Sequence, residues 1–136
     1  MWEVAESGIT DFKDLIAWKK GMELAQAVYE LTASYPIEER YGLVAQTRRA
    51  SVSVPCNIAE GFGRSGQADF LRFPDHSVGS ANEVETQLLL AVRLGLVGPA
   101  EAARAIELAR EEQRILKGLI GGIRGASKAA IRTPVG

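Results

Sequence analysis

The residues with the most reactive side chains are few in this sequence. Cys56 and His76, the single cysteine and the single histidine, could form a nucleophile–base pair. Glu83 and Glu85 share a predicted helix, but the Glu-x-x-His motif of di-iron bundles is absent from the sequence. One cysteine also excludes an intrachain disulfide and a Cys-pair zinc site. We predict no catalytic residue, no metal and no cofactor, and an enzyme using Glu60, Glu85 or Cys56 is the weakest functional hypothesis.

Two of these features have simpler structural explanations. We expect Cys56 to be a small buried packing residue and His76 to be exposed beside a helix irregularity. The segment 61–66, GFGRSG, lacks the lysine and the preceding strand of a phosphate-binding loop. We interpret it as a helix-breaking turn, in which Arg64 and Ser65 could still contact an anion near a helix N-terminus.

A row of polar residues is the most informative pattern in the chain. Its members recur at spacings of three and four, which places them on one face of a helix: Gln46, Arg49, Ser53, Asn57, Glu60 and Arg64. Such a row is a solvated surface, an internal hydrogen-bond network or a contact surface for a partner. We predict that packing encloses the row and that it organises assembly. Arg48 points about 100° away from Arg49, toward the side of Val44 and Ile58.

Glu85 interrupts an apolar row on the third predicted helix. An isolated carboxylate among apolar neighbours requires a partner, and Arg48 or Arg49 is the natural candidate. We predict a network that fixes helix register or a subunit interface; its members are Arg48, Arg49, Ser53, Asn57, Glu60 and Glu85.

Length and charge point to one globular domain with no general affinity for nucleic acid. The chain has 136 residues and a net charge of −1. Basic residues outnumber acidic ones after Arg104, which we attribute to favourable charge near a helix C-terminus and a solvated tail rather than to a phosphate-binding face. No signal peptide and no membrane-spanning run is recognised in the sequence, so we expect a cytoplasmic protein.

Helical periodicity dominates the chain and predicts an all-α fold. The predicted helices span residues 11–35, 41–62, 67–94 and 99–124, and the tail 126–136 is expected to be flexible. Asp11 is the expected N-cap of the first helix, Pro55 lies inside the second, and Pro74 marks a kink or a late start of the third. Short connections predict an antiparallel up-down-up-down four-helix bundle with a single domain.

The first predicted helix carries two apolar seams about 120° apart. One seam contains Leu15, Trp18, Met22, Ala25 and Tyr29, and the other contains Ala17, Gly21, Leu24, Val28 and Leu31. The two seams are either one wide core face or a core face and a subunit interface, and the sequence leaves both open.

Three segments together resemble a known protein family. They read DFKDLIAWKKGMELAQAVYELTASYP, TRRASVSVPCNIAEGFGR and, after Phe70, GSANEVETQLLLAVRLG. The chain resembles, over about residues 10–122, the four-helix bundle proteins encoded in intervening sequences of bacterial 23S ribosomal RNA genes. The wider family is similar to accessory proteins of diversity-generating retroelements. Family positions that match here are Arg48, Arg49, Ser53, Asn57, Glu60, Gly61, Phe70 and Glu85.

The resemblance implies a left-handed bundle that assembles into a homopentameric ring without known catalytic activity. The leading hypothesis is therefore a non-enzymatic, self-assembling scaffold or interaction protein. The alternative is binding of RNA, other nucleic acid or a nucleoprotein through a basic surface of the oligomer. The candidate contacts for that alternative are Arg48, Arg64, Arg110, Arg114 and Lys117.

Overall fold

The computed structural model describes residues 10–63 and 67–132. Most of these residues form four α-helices, and no strand occurs within those two ranges. The helices are α1 (Ile16–Thr32), α2 (Ala45–Phe62), α3 (Gln67–Arg93) and α4 (Pro99–Arg132). Short helical turns precede α1 at Phe12–Asp14 and lead into α2 at Ile37–Glu39 and Arg40–Val44, the last being a π-helical turn.

The four helices form an antiparallel bundle, as predicted. Each helix packs against the next one in the chain, and α4 closes the bundle by packing against α1. The direction of the α2–α3 pair follows from two hydrogen bonds, since Ser53 donates to Ser80 while Ser77 donates to the carbonyl oxygen of Val54. A higher residue number on α2 therefore meets a lower one on α3.

The core consists of one long cluster and a smaller one at the end of the bundle. Fully buried aliphatic side chains from all four helices meet in the long cluster, among them Leu24, Val28, Val54, Val84, Leu88 and Leu116. The smaller cluster lies beside the connections between α1 and α2 and between α3 and α4; its buried members are Tyr35, Val44, Ala91, Val97 and Ala102. One acidic residue, Glu112, also occupies a fully buried position.

The helix ends agree with the sequence where a residue with a special backbone preference sets them. Gly95 has a φ of 76° and ends α3 in the left-handed conformation that favours glycine. Pro99 opens α4, where its missing N–H costs no helical hydrogen bond. Asp11, however, caps the short turn Phe12–Asp14 rather than the first α-helix, which begins at Ile16.

The predicted end of α4 is wrong, and of the two alternatives for Pro74 the late start of α3 is excluded. α3 begins at Gln67 and continues through the buried Pro74, so this proline marks no late start. α4 does not stop at Gly125 but continues to Arg132, so residues 126–132 are helical rather than a flexible tail; 133–136 lie outside the described residues. A helical glycine costs only about 1 kcal/mol relative to alanine, too little to end a helix by itself.

The seam with Ala17 and Leu24 faces the core along α1, whereas the other seam does so only at its N-terminal end, where Leu15 is buried and Trp18 packs against the core. Ala17, Leu24 and Val28 are buried, whereas Met22 and Tyr29 of the other seam are 46% and 44% exposed. The two seams are therefore not a single wide core face within the protomer.

Candidate functional site

The predicted polar row lies at the edge of α2 and borders α3. Ser53 and Asn57 are half-buried there, but Gln46, Arg49 and Glu60 are exposed, and Arg64 lies outside the described residues. Within one protomer the row is therefore only partly enclosed, and its enclosure in an assembly stays a prediction. The core side of α2 is taken instead by other residues, namely Thr47, Ala50, Ser51, Val54, Pro55, Ile58 and Gly61.

The polar row forms one wall of a groove between α2 and α3. Ser53 donates a hydrogen bond to Ser80 across the groove, and the Asn57 amide donates to the Ser53 carbonyl oxygen at 2.7 Å. Two open clefts of about 250 and 540 Å³ meet at Ser80 and Glu83. Around these two residues the groove is lined by Gln46, Arg49, Ala50, Ser53, Arg72, Asp75, His76 and Gly79. We call this surface the α2/α3 polar groove.

Charges of both signs occur along the α2/α3 polar groove. Arg49 and Arg72 contribute positive charge, and Asp75 and Glu83 contribute negative charge. A uniformly negative phosphate backbone is poorly matched by such a surface. The arrangement suits a polar contact with another protein more closely than it suits a nucleic acid.

The predicted partner of Glu85 is wrong. Its carboxylate accepts hydrogen bonds from Arg110 Nε and Gln113 Nε2, both at 2.8 Å, on α4. The pKa of Glu85 is lowered because these donors, first Gln113 and then Arg110, favour its charged form. Glu85 lies on the α4 side of α3, away from α2, and neither Arg48 nor Arg49 is its partner.

Arg48 joins α2 to the last turn of α1 instead. Its Nε donates to the buried Thr32 hydroxyl at 2.8 Å, and its Nη2 donates to the Tyr29 carbonyl oxygen at 3.2 Å. The guanidinium carbon lies 4.5 Å from the centre of the Tyr29 ring. Thr32 was not among the predicted site residues, although a polar residue ending an apolar seam is a signal for such a contact.

The candidate nucleic-acid contacts do not form one free basic surface. Arg110 pairs with Glu85, and Arg114 donates to Glu107 at 3.0 Å. Arg48 is engaged with α1, Lys117 is exposed, and Arg64 lies outside the described residues. Arg124, which the prediction did not include, pairs with Asp75 at 3.2 Å.

The groove between α1 and α2 is covered by an apolar surface. Met22, Tyr29 and Val52 are 46%, 44% and 39% exposed. Gly21 lies against Val54 and Tyr29 lies against Arg48, so the antiparallel register places Val52 between these two contacts. We call Met22, Tyr29 and Val52, with the half-buried Trp18 and Ala25, the α1/α2 apolar face.

A second apolar surface occurs near the C-terminal end of α3. Leu89, Leu90 and Leu94 are 45%, 42% and 61% exposed. The first two line an open cleft of about 550 Å³ together with Thr86, Val92 and Arg93. We call the three leucines the α3 leucine cluster. The sequence does not reveal this cluster, because leucines on a helix are expected to lie in the core.

The candidate nucleophile and base of the sequence, Cys56 and His76, lie on α2 and α3. Cys56 is exposed, contrary to the expected buried position, while His76 is exposed as predicted. Across residues 10–63 and 67–132, no three or more His, Cys, Asp or Glu side chains are grouped so that they could hold a metal ion. Within the same ranges, no helix is both long and apolar enough to span a bilayer.

Comparisons with known proteins agree with this fold. A profile of the family described as 23S rRNA-intervening sequence protein matches residues 13–118. The chain belongs to this family. The family match includes α1 to α3 and most of α4, and so contains both the α2/α3 polar groove and the two apolar surfaces.

A solved structure supports the same conclusion about the fold. It is the crystal structure of a protein of unknown function from the S23 ribosomal protein family of Bacteroides thetaiotaomicron. The fold of the present chain is similar to it, with a TM-score of 0.70. The two chains are 21% identical over 77% of this chain and 98% of that one. A search of curated proteins gives no match.

Proposed function

We propose that this protein is a non-enzymatic scaffold or interaction protein that assembles with copies of itself into a closed ring. One observation carries the proposal: the protomer has two exposed apolar surfaces on different helices, the α1/α2 apolar face and the α3 leucine cluster. Exposed apolar surface of this kind is typical of protein–protein contact sites. Five subunits is the number implied by the resemblance to the rRNA-intervening-sequence and retroelement accessory proteins.

The positions of the two surfaces favour a head-to-tail contact. A two-fold dimer joins the same patch on both copies, whereas a ring joins two different patches through a rotation that closes. In the proposed assembly, the α1/α2 apolar face of one copy covers the α3 leucine cluster of the next. Because α3 packs against α2 but is diagonal to α1, the two surfaces occupy different sides of the bundle.

The state of assembly is measured by light scattering after size-exclusion chromatography at micromolar concentration. We expect an oligomer for the natural sequence and a monomer for Met22→Asp and for Leu90→Asp, because each variant places a charge in one half of the contact. Ala103→Asp, at an exposed site on α4 outside both surfaces, is the matched control and retains the oligomer. A monomeric natural protein contradicts the proposal.

A mixing experiment separates a ring from a two-fold dimer. Met22→Asp keeps an intact α3 leucine cluster, and Leu90→Asp keeps an intact α1/α2 apolar face. An equimolar mixture of the two monomers therefore forms a one-to-one heterodimer and nothing larger. Two mixed variants that remain monomers contradict the head-to-tail contact.

The pairing of the arginines on α4 makes nucleic-acid binding the less favoured function. Arg110, Arg114 and Arg124 each face a carboxylate within 3.2 Å, so their charges are already compensated within the protomer. The net charge of −1 points the same way.

A further inference from the structure

A buried carboxyl group lies where three helices meet. Glu112 on α4 has no exposed surface, and within the described residues neither of its carboxyl oxygens has a hydrogen-bonding partner. The carboxyl lies against Gly21 of α1, since a methyl group at Gly21 would be 2.8 Å from Glu112 Oε2. The same methyl group would be 3.3 Å from Val54 Cγ1 and 3.4 Å from Pro55 Cα on α2. The missing side chain of Gly21 provides the space that the carboxyl occupies.

The surrounding charges do not compensate a negative Glu112. Lys20 of α1 is a cation whose charge acts on Glu112, but its ammonium already pairs with Glu23 at 3.3 Å and Glu111 at 3.4 Å. Glu111, next to Glu112 on α4, adds repulsion. From α2, Val54 and Pro55 lie against the same Gly21 position, and neither side chain titrates.

On α3, the carboxylate of Glu85 is held by Arg110 and Gln113 of α4. The charges that act on Glu112 are those of Glu111 and Lys20, and Lys20 is shared with Glu23 and Glu111. Burial raises the pKa of Glu112 to about 8; repulsion from Glu111 adds to the shift and Lys20 opposes it.

We propose that the contact between Glu112 and Gly21 is a proton-dependent lock between α4 and α1. While Glu112 carries its proton, the neutral carboxyl fits against Gly21 and α1 stays docked. When the proton is lost to bulk water, a charge without a partner remains in the core, and α1 separates from α4 so that water reaches the carboxylate.

The sign of the pH dependence follows from proton binding. The folded state keeps its proton up to a pH of about 8, whereas the unfolded chain loses it near 4.5, the ordinary pKa of a glutamic acid. The contribution of Glu112 to stability is therefore complete below pH 4.5. It falls as the pH rises from 4.5 toward 8, and it is lost above the pKa of the folded state. Within the interval, the unfolding constant rises about tenfold per pH unit.

The test compares urea unfolding of the full chain at pH 5 to 9 for the natural sequence, Glu112→Gln and Glu111→Gln. We expect the contribution of Glu112 to raise the unfolding constant of the natural protein by about 400-fold between pH 5 and 8, because both endpoints lie close to one of the two pKa values. Glu112→Gln cannot ionise and lacks this rise, while Glu111→Gln removes only the smaller repulsion and retains most of it. Identical profiles for the natural protein and Glu112→Gln overturn the proposal.

Two measurements on the natural protein remain decisive if Glu112→Gln does not fold. Carbon-13 NMR of the labelled Glu112 carboxyl shows a titration midpoint near 8 under the proposal, and a midpoint near 4.5 overturns it. The second measurement is amide hydrogen exchange, corrected for the intrinsic exchange rate. Under the proposal, as the pH rises from 6 to 9, the amides of α1 lose protection before the amides of α2 and α3 that face each other. Uniform loss, or none, contradicts a lock at α1.

Discussion

The guanidinium of Arg48 lies 4.5 Å from the centre of the Tyr29 ring and joins the first turn of α2 to the last turn of α1. The same side chain donates to the Thr32 hydroxyl and to the Tyr29 carbonyl oxygen. That carbonyl belongs to the last turn of α1 and also accepts the backbone N–H of Ala33 at 3.2 Å, so Arg48 provides a second donor to it. Arg48 thus caps α1 from α2 and also fixes the ring of Tyr29, a member of the α1/α2 apolar face.

Removal of Arg48 should destabilise the protein. We expect Arg48→Ala to lower the free energy of unfolding by about 1–3 kcal/mol, because it removes charged hydrogen bonds and a cation–π contact. The neighbouring Arg49 is exposed and has no hydrogen-bonding or ion-pair partner among the described residues. Arg49→Ala is therefore the control and should change stability by less than about 0.5 kcal/mol. Urea unfolding of both variants measures the difference, and equal effects contradict the capping role.

A pair of glycine substitutions tests the close packing between α1 and its neighbours. Gly21→Ala should destabilise the protein by about 1–3 kcal/mol, because its methyl group overlaps Glu112 Oε2 and presses on the backbone of Pro55. Gly118→Ala on α4 meets no atom within 4 Å and should stabilise the protein by up to about 1 kcal/mol through helix propensity. Thermal unfolding compares the two, and stabilisation by both substitutions excludes a tight contact at Gly21.

The helices and their order could be predicted from the sequence because local signals determine them. The four-residue spacing of Leu24 and Val28 predicts a buried helix face, and Gly95 predicts a helix end. Both effects act within one or two helical turns. The extension of α4 to Arg132 was missed because the glycines near its end were given too much weight. A local penalty of about 1 kcal/mol does not decide where a long helix ends.

The partners of polar side chains could not be predicted in the same way, because they depend on how each helix is rotated against its neighbours. Glu85 was assigned to arginines of α2, yet it lies on the side of α3 that faces α4. Glu112 was missed for a related reason. Two adjacent glutamates, Glu111 and Glu112, are typical of a solvated helix face. The packing of α4 is what places Glu112 in the core.

The pH dependence of Glu85 should be opposite to that proposed for Glu112. Its folded pKa is lowered by Gln113 and Arg110, so its contribution to stability is present above 4.5 and is lost as the pH falls through the folded value. The stability difference between the natural protein and Glu85→Gln should therefore shrink as the pH falls from 6 to 2.5. We expect a smaller effect than for Arg48→Ala, because Arg110 is 47% exposed and the pair is screened.

Urea unfolding between pH 6 and 2.5 measures the stability difference between the natural protein and Glu85→Gln. Glu38→Gln, at an exposed site in the turn that precedes α2, is the control and should show no such trend. If the stability difference between the natural protein and Glu85→Gln stays constant with pH, the contribution of Glu85 to stability does not depend on its charge. Unchanged stability and assembly in Glu85→Gln would remove any role for this residue in helix register.

Binding of structured RNA tests the alternative function directly. We expect no binding above non-specific levels at low salt, because Arg110, Arg114 and Arg124 are paired with carboxylates and Arg48 is engaged with α1. Fluorescence anisotropy with a labelled RNA hairpin, measured from 20 to 200 mM salt, gives both the affinity and its salt dependence. If RNA does bind, the log–log slope reports the number of phosphates neutralised. Lys117→Ala should then weaken binding and reduce that slope by about one, which would favour a basic surface on α4 over a scaffold without nucleic acid.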